Sequence, residues 1–146
     1  MIFPYFNLYL IFGAIIILFM AIVLGGKFKF YDKYAWWDRL IHFLSAILFV
    51  SFGVAITQGI VGLSNLHILI FCLTLSVTLH VAWEIGEYIV DCITRGDHQR
   101  WQKKNKSINH NPQNAIQPAG LVDTMNDTII CVLGTLISCA VWWFIL

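Results

Sequence analysis

Long stretches without any charged side chain constrain the fold of this chain more than any other feature of its sequence. No Asp, Glu, Lys or Arg occurs before Lys27, between residues 40 and 83, or after Asp127. A helix needs about 20 mostly apolar residues to cross a hydrocarbon core about 30 Å thick. With 59% hydrophobic and 12% charged residues, the chain is predicted to be an all-α integral membrane protein with a single domain over residues 1–146, folded as a four-helix transmembrane bundle. The four predicted helices lie near residues 6–25, 41–62, 66–90 and 121–146.

The basic residues predict how this bundle is oriented. All nine Lys and Arg residues fall within residues 26–40 and 91–120, the segments that follow the first and third predicted helices. Cytoplasmic loops of membrane proteins are enriched in Lys and Arg. Both segments are therefore expected to be cytoplasmic, and both termini are expected on the extracytoplasmic side. The first segment also interleaves aromatic and basic residues, which is typical of a chain that lies at the level of the lipid headgroups.

Two of the predicted helices begin with a pair of residues that can bind a cation. Asp38 and His42 are separated by four positions, as are Asp123 and Asp127. Residues with this spacing lie on the same face of a helix, one turn apart. Each pair can therefore direct two ligand atoms toward a common site near the cytoplasmic end of the bundle.

The third predicted helix carries a polar stripe. His80, Glu84, Glu87 and Asp91 are spaced so that they fall on one side of an otherwise apolar helix. At about 1.5 Å per residue from Leu66, Glu84 lies about 27 Å along the helix, near the inner edge of the hydrocarbon. The stripe is thus predicted to meet the two acidic pairs at the same depth.

A cluster of this kind needs a cation. Buried carboxylates that outnumber their basic partners must bind protons, basic groups from a loop, or a metal ion. Oxygen and imidazole ligands suit Mg²⁺, Mn²⁺, Fe²⁺ or Zn²⁺ better than copper or an iron–sulfur cluster. The predicted divalent-metal ligands are Asp38, His42, Glu84, Glu87, Asp123 and Asp127, with His80 and Asp91 as additional candidates.

Some of these residue types have simpler explanations. Asp38 and Asp123 follow interfacial loops, where helix capping and a favourable interaction with the helix dipole also explain an acidic side chain. His80 can be a hydrogen-bonded interior histidine, and Asp91 a solvated helix end. Gly86 and Gly134 are expected to permit close approach of neighbouring helices.

Three short motifs resemble those of a known family. The segments WDRLIHF (37–43), WEIGE (83–87) and DTMND (123–127, followed by Gly134) are similar to the D-x-x-x-H-F, E-x-x-E and D-x-x-x-D series of the YjdF-type uncharacterised bacterial inner-membrane proteins. These are in turn similar to VanZ-like proteins. The resemblance implies a multi-pass protein of the bacterial inner membrane and supports the site, but it implies no established reaction.

Three functions are compatible with this pattern. In the first, a metal-dependent hydrolase or transferase acts on a phospholipid or lipid-linked substrate, with Glu84 or His42 as catalytic general base. Arg39, Lys103 and Lys104 would then attract an anionic headgroup. The alternatives are a proton or cation carrier and a non-enzymatic envelope or accessory protein. Membrane lipids are the expected partners, nucleic acid is not, and the sequence leaves the oligomeric state open.

Overall fold

The described part of the chain forms four long helices and one short one. A computed structural model describes residues 6–34, 36–57, 60, 62–94 and 119–146. Its four long helical spans are long and apolar enough to cross a membrane, which confirms the all-α class and the four candidate spans. The helices are α1 (Phe6–Leu18, continued by a π-helical segment, Phe19–Lys27), α2 (Phe30–Lys33), α3 (Trp37–Thr57), α4 (Asn65–Thr94) and α5 (Ala119–Ile145).

The helix boundaries differ from the predicted ones most clearly at α3. This helix begins at Trp37 and ends at Thr57, whereas hydropathy predicted a span near 41–62. Asp38 lies in its first turn, where the unpaired backbone N–H groups favour an acidic side chain. A hydropathy scale lowers the score of any helix that contains a charged residue, although an acidic side chain is stabilised in the first turn of a helix. Asp38 and His42 therefore belong to one continuous helix.

The contacts between side chains give the direction of each helix. Along α3, His42 meets His80 and Gly53 meets Cys72, so α4 runs antiparallel to α3. Along α5, Asp127 meets His42 and Trp142 meets Ser51, so α5 runs parallel to α3. The beginning of α3, the later part of α4 and the beginning of α5 consequently meet at one end of the bundle.

α1 lies outside a three-helix core, and this arrangement differs from the predicted four-helix bundle. Among the described long helices, α1 packs against α3 alone, and its large apolar side chains, Leu8 to Ile22, are mostly exposed. In lipid, such side chains gain little by packing on another helix rather than on acyl chains. The core helices share buried polar contacts as well as apolar ones, whereas the close contact of α1 with α3 is that of Gly13 against Leu48.

The three-helix core has an apolar end and a polar end. Val50, Val54, Cys72 and Trp142 belong to a buried apolar cluster at the end away from His42. Toward the middle, the fully buried Ser76 and Thr135 hydroxyls hydrogen-bond across α4 and α5 at 2.7 Å. Beyond them the interior becomes polar and charged, so that the predicted site residues occupy one end of the core.

Two glycines allow the core helices to approach closely. A Cβ on Gly134 of α5 would lie 3.0 Å from the Phe43 carbonyl oxygen and 3.1 Å from the Ala46 Cβ on α3. A Cβ on Gly53 would lie 2.8 Å from the Cys72 sulfur. The expectation for Gly134 is thereby confirmed. The expectation for Gly86 is wrong for the described helices, because a Cβ there would meet none of their atoms within 4 Å.

Candidate metal centre

His42 lies at the centre of the polar end of the core. Its Nε2 atom is 3.6 Å from Asp38 Oδ1, 3.7 Å from Glu84 Oε1 and 4.0 Å from Asp127 Oδ2. These four side chains come from all three core helices, and those of His42, Glu84 and Asp127 are almost completely buried. The helix pairing thus brings three carboxylates from different helices around one imidazole nitrogen.

The other nitrogen of His42 faces His80. The two Nδ1 atoms are 3.3 Å apart, and the rings meet edge to face with centroids 4.9 Å apart. His80 Nε2 lies 3.3 Å from the Thr128 hydroxyl and 3.8 Å from Glu84 Oε1. His80 is therefore an interior hydrogen-bonded histidine, and at the same time it borders the site.

Glu84 provides the clearest sign that a cation belongs here. Glu84 is only 6% exposed, yet among the described residues its Oε1 atom has no hydrogen-bond partner. Oε1 points toward the Nε2 atoms of both histidines, at 3.7 and 3.8 Å. Leaving a buried charged acceptor without a partner costs more than about 1–3 kcal/mol. A group that binds between these atoms would remove that cost.

The separations fit a shared ion better than direct hydrogen bonds. A hydrogen bond from a ring N–H to oxygen usually measures about 2.7–3.2 Å and is no longer formed at about 3.6 Å, which is the shortest distance between His42 Nε2 and a carboxylate oxygen. Ligands bound tetrahedrally about 2.0–2.3 Å from a metal lie about 3.3–3.8 Å from one another. The contacts with Asp38 and Glu84, at 3.6 and 3.7 Å, fall within that range.

Two overlapping sets of ligand atoms could hold a metal ion. In each set, one atom from every residue lies within 4.8 Å of the others, and His42 belongs to both. Every Lys or Arg side chain that the structure describes is exposed, so this interior gains no buried basic side chain from the described residues. The sets are His42, His80 and Glu84, and Asp38, His42 and Asp127.

Other predicted site residues lie at the edge of this cluster. Glu87 is half-buried, and its Oε1 accepts a 2.8 Å hydrogen bond from the indole N–H of the exposed Trp83. Asp123 is buried on α5, one turn before Asp127, but belongs to neither set. Since α5 begins at Ala119, capping does not explain Asp123. Asp91 lies farther along α4 and also belongs to neither set.

The predicted headgroup-binding residues are only partly described. Arg39 is exposed directly beside Asp38, at the same end of the bundle as the cluster. Lys103 and Lys104 lie outside the described residues. The basic residues that the structure describes thus lie at this end of the molecule.

Two threonines of the site were missed by the sequence analysis. Thr128 hydrogen-bonds to His80, and its hydroxyl donates to the Thr124 carbonyl at 2.7 Å. The Thr124 side chain in turn lies beside the Glu84 carboxylate. Both residues are one position beyond an aspartate of the DTMND motif, and only the placement of α4 reveals their role.

Comparison with known proteins gives a membrane protein family. The family model described as "Predicted membrane protein (DUF2238)" matches residues 3–146. No curated protein and no solved structure matches the chain. The match covers almost the entire sequence and assigns no reaction.

Proposed function

The chain belongs to this family of predicted membrane proteins, and we propose that it binds one divalent metal ion between α3, α4 and α5 and uses it to act on a lipid phosphate. One observation carries the proposal: the buried, unpartnered Glu84 Oε1 faces His42 Nε2, which two further carboxylates also approach. An ion beside His42 Nε2 would lie where the two ligand sets meet, because His42 belongs to both of them.

The position of the site supports a lipid substrate. The cluster lies near one end of the membrane-spanning core, where the headgroups of one leaflet are located. Exposed basic residues at this end, among them Lys33 and Arg39, can attract an anionic headgroup. A bound divalent ion would polarise a phosphoryl oxygen or activate water. These are the requirements of phospholipid or lipid-linked phosphate hydrolysis or transfer.

We assign this end of the bundle to the cytoplasmic side. The proposal rests on the concentration of Lys and Arg around this end. It places both chain termini outside the cytoplasm. A bacterial inner-membrane location and kinship with YjdF-type and VanZ-like proteins are proposed from the three sequence motifs.

Metal analysis of the purified protein tests the proposed site. Elemental analysis in detergent, after equilibration with Mn²⁺ or Zn²⁺ and desalting, should find about one ion per chain in the wild type and almost none in Glu84→Gln. Glu87→Gln is the matched control, because it makes the same change one turn away, outside both ligand sets. Equal metal content in the wild type and Glu84→Gln would overturn the proposal.

Vesicle assays test the reaction. Wild-type protein reconstituted with phospholipids or with a lipid-linked diphosphate should release phosphate or headgroup only when the metal is supplied. Glu84→Gln should abolish this turnover. A metal-loaded protein that leaves both lipid classes intact would retain the metal site and refute the lipid chemistry.

The buried Ser76–Thr135 hydrogen bond favours proton or cation transport as a second candidate function. This pair extends the polar interior beyond His80 toward the opposite end of the core. The apolar cluster around Val50, Cys72 and Trp142 lies beyond it, and for that reason transport ranks second. Proton flux into liposomes that disappears with His80→Ala would reverse the order.

A further inference from the structure

The hydrogen bonds around Thr128 determine which nitrogen of His80 carries a proton. A threonine hydroxyl has a single hydrogen to donate. Thr128 donates it to the Thr124 carbonyl oxygen over the short distance of 2.7 Å. In the 3.3 Å contact with His80 Nε2, the Thr128 oxygen must therefore be the acceptor. His80 consequently carries a proton on Nε2.

The proton on His80 Nε2 in turn determines which nitrogen of His42 donates. A neutral imidazole has one N–H, so a proton on Nε2 leaves His80 Nδ1 as an acceptor. Its partner, 3.3 Å away, is His42 Nδ1. His42 must therefore donate from Nδ1. In the neutral ring, Nε2 then has a lone pair for a cation on the side where Asp38, Glu84 and Asp127 converge.

Donation in the opposite direction, from Thr128 through His80 to His42, does not fit the distances around His42 Nε2. If Thr128 donated to His80, His80 would donate to His42, and a neutral His42 would present Nε2–H to the carboxylates. That N–H should then form a hydrogen bond with at least one of them. His42 Nε2 instead lies 3.6 to 4.0 Å from the three carboxylate oxygens, and Glu84 Oε1 has no hydrogen-bond partner in the part of the chain that the structure describes.

We propose that His80 and Thr128 are positioning residues that hold His42 in the tautomer able to bind the metal through Nε2. His80 is then excluded as a ligand, because the proton on its Nε2 and the hydrogen bond at its Nδ1 occupy both nitrogens. The ligands are His42, Asp38, Glu84 and Asp127. This inference rests on the proposed metal site and specifies its ligands. It follows the general pattern in which a ligating histidine is oriented by a hydrogen bond at its other nitrogen.

Substitutions at Thr128 test the positioning role. Thr128→Val keeps the shape but removes the acceptor for His80, and it should weaken binding of Zn²⁺ or Mn²⁺ by about 10- to 100-fold. Thr128→Ser retains the hydroxyl and should restore near wild-type affinity. Thr74→Val is the matched control, since the exposed Thr74 hydroxyl bonds only to the Ile70 carbonyl in its own helix. Undiminished affinity in Thr128→Val would overturn the proposal.

Imidazole tautomers give a readout that a purely structural role would not change. ¹⁵N NMR of the metal-free wild type in micelles, with His80→Gln used for assignment, should show His80 protonated on Nε2 and not on Nδ1. A proton on His80 Nδ1 would overturn the inference, even if Thr128→Val failed to fold. If the wild type bound no metal while His80 showed the expected tautomer, the proposed function would fail and the hydrogen-bond direction would stand.

Discussion

Gly134 sets the distance between α3 and α5, and Gly134→Ala should therefore destabilise the protein. The added Cβ would lie 3.0 Å from the Phe43 carbonyl oxygen and 3.1 Å from the Ala46 Cβ. The first of these atoms is backbone and cannot rotate away, so α5 must shift relative to α3. Overpacking of this kind costs about 1–3 kcal/mol.

Gly86→Ala provides the reference for this change. Replacing glycine by alanine inside a helix stabilises the helix by about 0.5–1 kcal/mol, and this gain applies at both positions. At Gly86 no atom of the described residues lies within 4 Å of the new Cβ, so only the gain is expected. The difference in unfolding free energy between the two variants should accordingly be about 1–3 kcal/mol, with Gly134→Ala the less stable.

Reversible unfolding in mixed micelles can measure this difference. Both variants and the wild type would be titrated with SDS in a mild detergent while tryptophan fluorescence is recorded. Gly134→Ala should also weaken metal binding, because the shift moves Asp127 on α5 away from His42 on α3. Unfolding of the two alanine variants at the same SDS fraction would refute the reasoning that Gly134 fixes the helix spacing.

Further predictions concern the ion and the buried hydroxyl pair. A metal present at 100 times its dissociation constant should stabilise the wild type by about 2.7 kcal/mol. Thermal unfolding measured with and without a chelator should show this stabilisation in Glu87→Gln but not in Glu84→Gln. Ser76→Ala should cost about 1–3 kcal/mol, because it leaves the buried Thr135 hydroxyl without its 2.7 Å partner. The same SDS titration should show that adding Thr135→Val to Ser76→Ala recovers part of the loss, and additive losses would contradict a direct hydrogen bond.

The sequence predicted only part of the arrangement of the polar stripe on the third predicted helix. Helical periodicity placed His80, Glu84 and Glu87 on one side of α4, and the structure keeps them near the same end of the core. Periodicity fixes an angle around a helix but not the distance to a neighbouring helix. Glu84 therefore meets His42, whereas Glu87 pairs with Trp83 at the rim.

The role of His80 illustrates a second limit of prediction from sequence. Its position among apolar residues allowed either an interior hydrogen-bonded histidine or a functional one. The deciding partners are Thr128 and His42, which lie 48 and 38 positions away in sequence. Hydrogen-bond direction depends on which atoms meet, and no spacing along a single helix contains that information.

The charge-free runs of the sequence predicted a membrane protein with four spans, because crossing a membrane requires long apolar helices. The spacing of four positions predicted that Asp38 and His42, like Asp123 and Asp127, share a helical face. The packing of the helices was needed to show that α1 lies outside the core and that Asp38, Glu84 and Asp127 approach one nitrogen of His42. Such packing depends on close contacts such as Gly134 against Phe43, which join residues far apart in sequence.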